Sequence, residues 1–255
     1  MRKALSVLLV GSALFVLGSC GGSGRRSFVR IVNAAPDAGT IDVTINGNSI
    51  LTGMAYGTGS NYFTEGPGTD ISLKIVAAGA VGGSATLDTK IGLTDKVYYT
   101  IAVVGLTVAP STFTILQTED DHTAPAANDV KIRVLQLDPL FHADPGDSGP
   151  VDAFITPAGT LAPPPLNGLN PDFLDIAFQS TPSWVSVAVP TDGNLLIRVA
   201  PHPIAGDTDP DTTNLQGWDS QKVLFKAGQV RTYVLLDNPT GTPFGQQSIF
   251  LNDLN

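Results

Sequence analysis

A chain of 255 residues that is 42% hydrophobic and 15% charged holds enough apolar material for one large or two ordinary folded domains. Its formal net charge of −9 leaves no basic face for nucleic acid and discourages flat adsorption to anionic lipid. Twenty-seven Gly and 19 Pro without a collagen-like period favour many short strands joined by tight turns.

The N-terminal segment reads as a targeting sequence. Arg2 and Lys3 form a basic start, and residues 4–17 are an apolar run of 14, short for a bilayer span. Leu17-Gly18-Ser19-Cys20 follows. This order resembles the signal peptide and lipobox of bacterial lipoproteins. The resemblance implies cleavage after residue 19 and a diacylglyceryl group on Cys20, which is the only Cys, so no internal disulfide forms. Several acyl chains would anchor the protein durably, since each buried CH2 contributes about 0.8 kcal/mol. Gly21 rather than Asp follows the Cys, which resembles the default route to the outer membrane. Residues 20–26 make a flexible tether whose reach is on the order of 20 Å, at roughly 3.4 Å per residue. Arg25 and Arg26 are then either solvated or in touch with lipid phosphates.

A first domain is expected over residues 27–118. Val29 and Ile31 alternate with Arg30, a strand signal. Pro36-Asp37-Ala38-Gly39 is turn chemistry, and Ile41, Val43 and Ile45 alternate with Asp42 and Thr44. Asn46-Gly47 marks a hairpin into a return strand at 49–52. Further strands are expected at 60–64, 71–76, 97–104 and 112–117, with a Gly-rich hairpin loop at 79–83. No 3.6-residue period is sustained beyond the signal segment. The pattern predicts an all-β antiparallel sandwich, immunoglobulin-like or transthyretin-like.

Arg30, Asn33, Ala34, Pro36, Asp37, Ala38, Asp42 and Val43, followed by Ala55-Tyr56-Gly57 and Tyr62, form a string that resembles the bacterial domain of unknown function 4397. That resemblance implies an exported β-sandwich. It brings no activity, ligand or catalytic residue.

Residues 119–128 are polar, acidic and Pro-containing, and are expected to be a linker. The remainder, 129–255, then echoes the first domain. Residues 131–134 answer 29–31, with Arg133 in the place of Arg30 and Pro139 in that of Pro36. Val151-Asp152-Ala153 answers Ile41-Asp42-Val43. Ala177-Phe178 and Trp184 answer Ala55-Tyr56 and Tyr62. Residues 195–199 answer 71–75, and 230–236 answer 97–103. Such self-similarity predicts tandem sandwiches, the second carrying longer loops at 140–150, 157–172 and 204–219.

Strand alternation places Arg30 and Asp42 on one outward face, and likewise Arg133 and Asp152. They are expected to form cross-strand ion pairs that fix register. Asp207, Asp209 and Asp211 have the alternating carboxylates of a calcium loop, but Thr212 and Trp218 stand where the Gly and Glu of such a loop belong, so a solvated acidic loop is the favoured reading. His122, His142 and His202 lie in loops and show no metal-ligand spacing. No nucleophile elbow, phosphate loop or dinucleotide fingerprint is present. Tyr56, Tyr62, Phe178 and Trp184 recur at matching places and are expected to pack in the core or between sheets, with an aromatic platform for glycan or peptide as the alternative.

The expectation is therefore a non-enzymatic, lipid-anchored envelope protein without a cofactor, serving as a structural, adhesion or ligand-presenting module. Its expected partners are the membrane and an extracellular glycan or protein, and not nucleic acid. The alternative is a carbohydrate- or peptide-binding module of an uptake system, with a hydrolase third.

Overall fold

The computed structural model describes residues 24–79, 83–139, 150–158, 169–202, 219–237 and 247–254. The signal segment 1–19, Cys20, most of the tether, His142, Asp207, Asp209, Asp211 and most of the three long loops of the second half lie outside the described residues.

The chain is all-β. Nine strands come before the linker: β1 (Ser27–Asn33), β2 (Thr40–Ile45), β3 (Asn48–Ala55), β4 (Thr58–Gly59), β5 (Phe63–Glu65), β6 (Gly68–Ala77), β7 (Ala85–Leu93), β8 (Tyr98–Val104) and β9 (Thr114–Asp120). Among the described residues, eight follow it: β10 (Asp129–Gln136), β11 (Val151–Pro157), β12 (Phe173–Ile176), β13 (Val185–Ala188), β14 (Asn194–Pro201), β15 (Asp219–Leu224), β16 (Val230–Leu236) and β17 (Gln247–Leu254). β9 runs to Asp120, so residues 119 and 120, expected in the linker, belong to a strand.

Four sheets result. In the first half, β4-β1-β8-β9, with β5 also on β1, faces β3-β2-β6-β7. In the second half, β13-β10-β16-β17 faces β12-β11-β14-β15, in the same order. The sheets are not wholly antiparallel as expected, because β1 pairs with β8 in parallel and β10 with β16 likewise. The registers Arg30↔Thr100 and Arg133↔Thr232 set β16 against residues 98–104, one residue on from the correspondence expected from sequence.

Each half has its own core. Val29, Ile31, Ile41, Val43, Ile45, Leu73, Ile75, Ile101 and Val103 fill the first. Val130, Ile132, Val134, Ala153, Leu195, Ile197, Tyr233 and Leu235 fill the second. Alternation sends these side chains inward from both sheets, giving the sandwich layering. The hairpin at Asn46-Gly47 forms as expected, with φ of 49° and 80° at the two residues.

The expected pairs Arg30–Asp42 and Arg133–Asp152 do not form. Consecutive strands here go to opposite sheets: β1 pairs with β4, β5 and β8, whereas β2 pairs with β3 and β6. The two residues therefore never share a face. Asp42 instead accepts the N–H of Gly53 at 2.7 Å, and Asp152 accepts that of Asp175 at 2.8 Å. Gly53 (φ 64°) and Asp175 (φ 57°) each sit in a register shift of the neighbouring strand. Each carboxylate thus holds a β-bulge, and the bulge sets the register.

Candidate functional site: the face between the two sandwiches

A strand that alternates should bury one side only. In β1, every residue but Phe28 is buried. The inward side is the first core. The outward side is covered by the second half of the chain, through an apolar cluster that neither core contains. Val32 and Ala34, with Ala102 and Val104, meet Leu135, Leu137, Val234, Leu236 and Leu251. Tyr56, Leu116, Phe178 and Ile249 close its edge. The β1–β8 sheet and the β10–β16 sheet therefore lie back to back.

Below this apolar patch lies a buried charged network that repeats itself across the interface. Arg30, 2% exposed, gives its Nε–H to Thr100 Oγ1 at 2.8 Å, on the strand beside it. It crosses the interface to donate Nη1 to the carbonyl of Asn252 at 3.1 Å and Nη2 to the carboxylate of Asp253. Arg133, 1% exposed, mirrors it. Its Nη2 donates to Thr232 Oγ1 at 2.9 Å on its neighbouring strand and to Asp120 Oδ1 at 2.6 Å across the interface, while Nη1 donates to the carbonyl of Glu119 at 3.0 Å. The hydroxyls of Thr100 and Thr232 donate in turn to Asp120 and Asp253. Each guanidinium also lies over a ring, Arg30 at 4.8 Å from Tyr62 and Arg133 at 4.5 Å from Trp184. Planar, multidentate arginine suits such a buried position better than lysine.

The mirror is imperfect, and the difference that matters most lies at the aromatic ring. The Tyr62 hydroxyl donates to Asp120 Oδ2 at 2.7 Å and lies 3.3 Å from Asp253 Oδ1. Trp184, in the matching position, has no hydroxyl to offer. Asp253 is consequently the less satisfied carboxylate. Burial pushes its pKa up to about 6, with Arg30 opposing and Asp120 reinforcing the rise. Burial and the nearby Asp120 carboxylate raise the Tyr62 phenol well above its ordinary value. At the edge of the network, His122 stacks on Tyr98 at 3.4 Å, and burial lowers its pKa.

The contacts fix how the sandwiches are aligned. Arg30, early in β1, meets Asp253; Gly59, opposite Val32, faces the Leu251 side chain, 2.5 Å from where a Cβ would stand. β17 therefore descends as β1 rises. Since β17 is antiparallel to β16 and β16 parallel to β10, β1 and β10 point the same way. One end gathers residues 24–26, the linker and the end of β17. Arg26 is held there, its N–H donating to Asp95 at 2.8 Å and its carbonyl accepting from Lys96. The other end carries the turns after β1 and β8.

The string Asn33 to Tyr62 proves architectural. Asn33 donates Nδ2 to the carbonyls of Gly39 and Met54, both at 3.1 Å, pinning the first turn. The Asp37 carboxylate accepts the N–H groups of Thr107 and Val108, tying that turn to the loop after β8. The Tyr56 hydroxyl donates across the interface to the carbonyl of Asp237 at 2.6 Å. Tyr56, Tyr62, Phe178 and Trp184 all belong to the interface, so they pack as expected of apolar rings, but between the sandwiches rather than within a core.

Of the loop histidines, His202 is not merely solvated. Its Nδ1 lies 2.9 Å from Asp152 Oδ1, an orienting arrangement, yet among the described residues no Ser or Thr hydroxyl meets the ring as a nucleophile would. Among the described residues there is no group of three His, Cys, Asp or Glu able to hold a metal ion.

No curated protein matches the chain. Residues 27–144 match the family model described as Domain of unknown function (DUF4397), so the chain carries a DUF4397-like domain that takes in the whole first sandwich and all of β10.

Proposed function

We propose that this protein is a non-enzymatic, lipid-anchored module of the bacterial envelope, in which two sandwiches of one duplicated immunoglobulin-like or transthyretin-like design form a single stiff post. The observation that carries the reading is the reciprocal exchange of Arg30 and Arg133 onto Asp253 and Asp120. A shared face of this kind fixes the angle between the sandwiches, which a spacer or presenting module needs and a freely jointed pair lacks. The lipobox-like Leu17-Gly18-Ser19-Cys20 supports the anchor. The chain runs in beside Asp95, so the end bearing residue 95 faces the bilayer and the turns at 34–39 and 105–113 project away from it.

The test has two parts. Mass spectrometry of the protein from membranes should find the acyl adduct on Cys20, and Cys20→Ser should release the chain to the soluble fraction. In liposomes with a headgroup quencher, a fluorophore at Gly66 should be quenched and one at Val108 should not. Unmodified Cys20 would sink the anchor, and equal quenching at both sites would sink the orientation.

A further inference from the structure

Two carboxylates, Asp120 and Asp253, converge on the same two groups. Both lie beside Arg30 Nη2, Asp120 at 3.6 Å and Asp253 in direct contact. Both also lie within hydrogen-bond distance of the Tyr62 hydroxyl oxygen, at 2.7 and 3.3 Å. A phenol has one proton, and here it goes to the nearer oxygen, Asp120 Oδ2. The contact from Tyr62 to Asp253 Oδ1 is then oxygen against oxygen with no hydrogen between them. Every oxygen of the pair has a donor: Asp120 Oδ1 has Arg133, Asp120 Oδ2 has Tyr62 and Thr100, Asp253 Oδ1 has Arg30 and Asp253 Oδ2 has Thr232. Only the contact between Asp253 Oδ1 and the Tyr62 oxygen is bare, and a proton carried on Asp253 would bridge it while that oxygen still accepts from Arg30.

We propose that closure of the two sandwiches is coupled to uptake of one proton by Asp253, so that the interface tightens as the surroundings turn mildly acidic. The groups facing Asp253 are Arg30 from β1, Tyr62 from the segment before β5, Asp120 from β9 and Arg133 from β10. Arg133 contacts Asp120 Oδ1 and Arg30 lies 3.6 Å from Asp120 Oδ2, and a neutral acid at 253 relieves the repulsion between the two neighbouring carboxylates. Once the faces separate, Asp253 is hydrated and releases the proton. His122, next to Tyr62 at a ring separation of 5.3 Å, works in the other direction, because burial disfavours its charged form and lowers its pKa.

The test compares the whole protein with Asp253→Asn, which supplies a neutral donor at the same place. In a Trp218→Phe background, Trp184 fluorescence reports opening of the face in urea. The closing constant of the wild type relative to D253N should rise about fourfold between pH 7.5 and pH 5.5, as expected for one group moving from 3.8 to about 6. The His122 contribution cancels in that ratio. A ratio independent of pH would overturn the proposal. Should D253N fail to fold, the carboxyl carbon of Asp253 in the wild type decides by NMR: a midpoint near 6 supports the proton, and one below 4.5 excludes it.

Discussion

Arg30 and Arg133 are each nearly inaccessible to water, and each spends its hydrogen bonds on two strands at once. Removing one guanidinium leaves a carboxylate buried without its counter-charge, which typically costs about 3–5 kcal/mol. Arg30→Met and Arg133→Met should each lower the urea stability by that order, and Arg30→Lys should not restore it, since lysine cannot reach Thr100, Asn252 and Asp253 together. Asp42→Ala should cost only about 0.5–1.5 kcal/mol, because the Gly53 N–H it frees lies at an exposed edge. A change of register on Asp42→Ala, seen as altered β2–β3 amide contacts in NMR, would show the bulge clasp at work. The residue types in these places were plain in the sequence, but their partners were not. A charged residue between Val29 and Ile31 reads as solvent-facing, and nothing local announces that a strand over 200 residues away will cover it.

Whole strands carry the clue that single residues hide. β8 and β16 carry almost continuous apolar runs, Ile101-Ala102-Val103-Val104 and Tyr233-Val234-Leu235-Leu236, which is the mark of strands buried on both sides, whereas β1 and β10 still alternate with charged residues. β2 and β6 show the cleaner alternation of strands with one wet face. β7 was missed although Leu87 and Ile91 alternate with Asp88 and Lys90, since its polar residues mask the period. What sequence pattern could not yield is the parallel β1–β8 pairing, which joins strands some 70 residues apart. At this scale the apolar contact is testable. Leu251→Ala, within the shared cluster, should cost about 2–5 kcal/mol, whether read by urea or by heat. The linker has its own signature. The His122 pKa is lowered in the fold by burial, so the unfolded chain takes up a proton below 6.5 that the native chain resists. The stability His122 brings is present above pH 6.5 and is lost as the pH falls below it; His122→Gln should remove that part of the acid sensitivity in a pH series of melting curves.

In the whole molecule, the shared face joins the two sandwiches. Each has a complete core, so each has the means to be a separate domain. The interface adds a third apolar cluster and a pair of crossed arginine–aspartate contacts that neither sandwich can satisfy alone. If the sandwiches part, two buried arginines lose their carboxylates and the inner sheets expose their backs, so opening and unfolding should be coupled. Differential scanning calorimetry of the intact protein tests this most directly. The wild type should melt in a single transition, with calorimetric and van't Hoff enthalpies in agreement, and Arg30→Met should split it in two. Two separate transitions in the wild type, unmoved by Arg30→Met, would contradict the account.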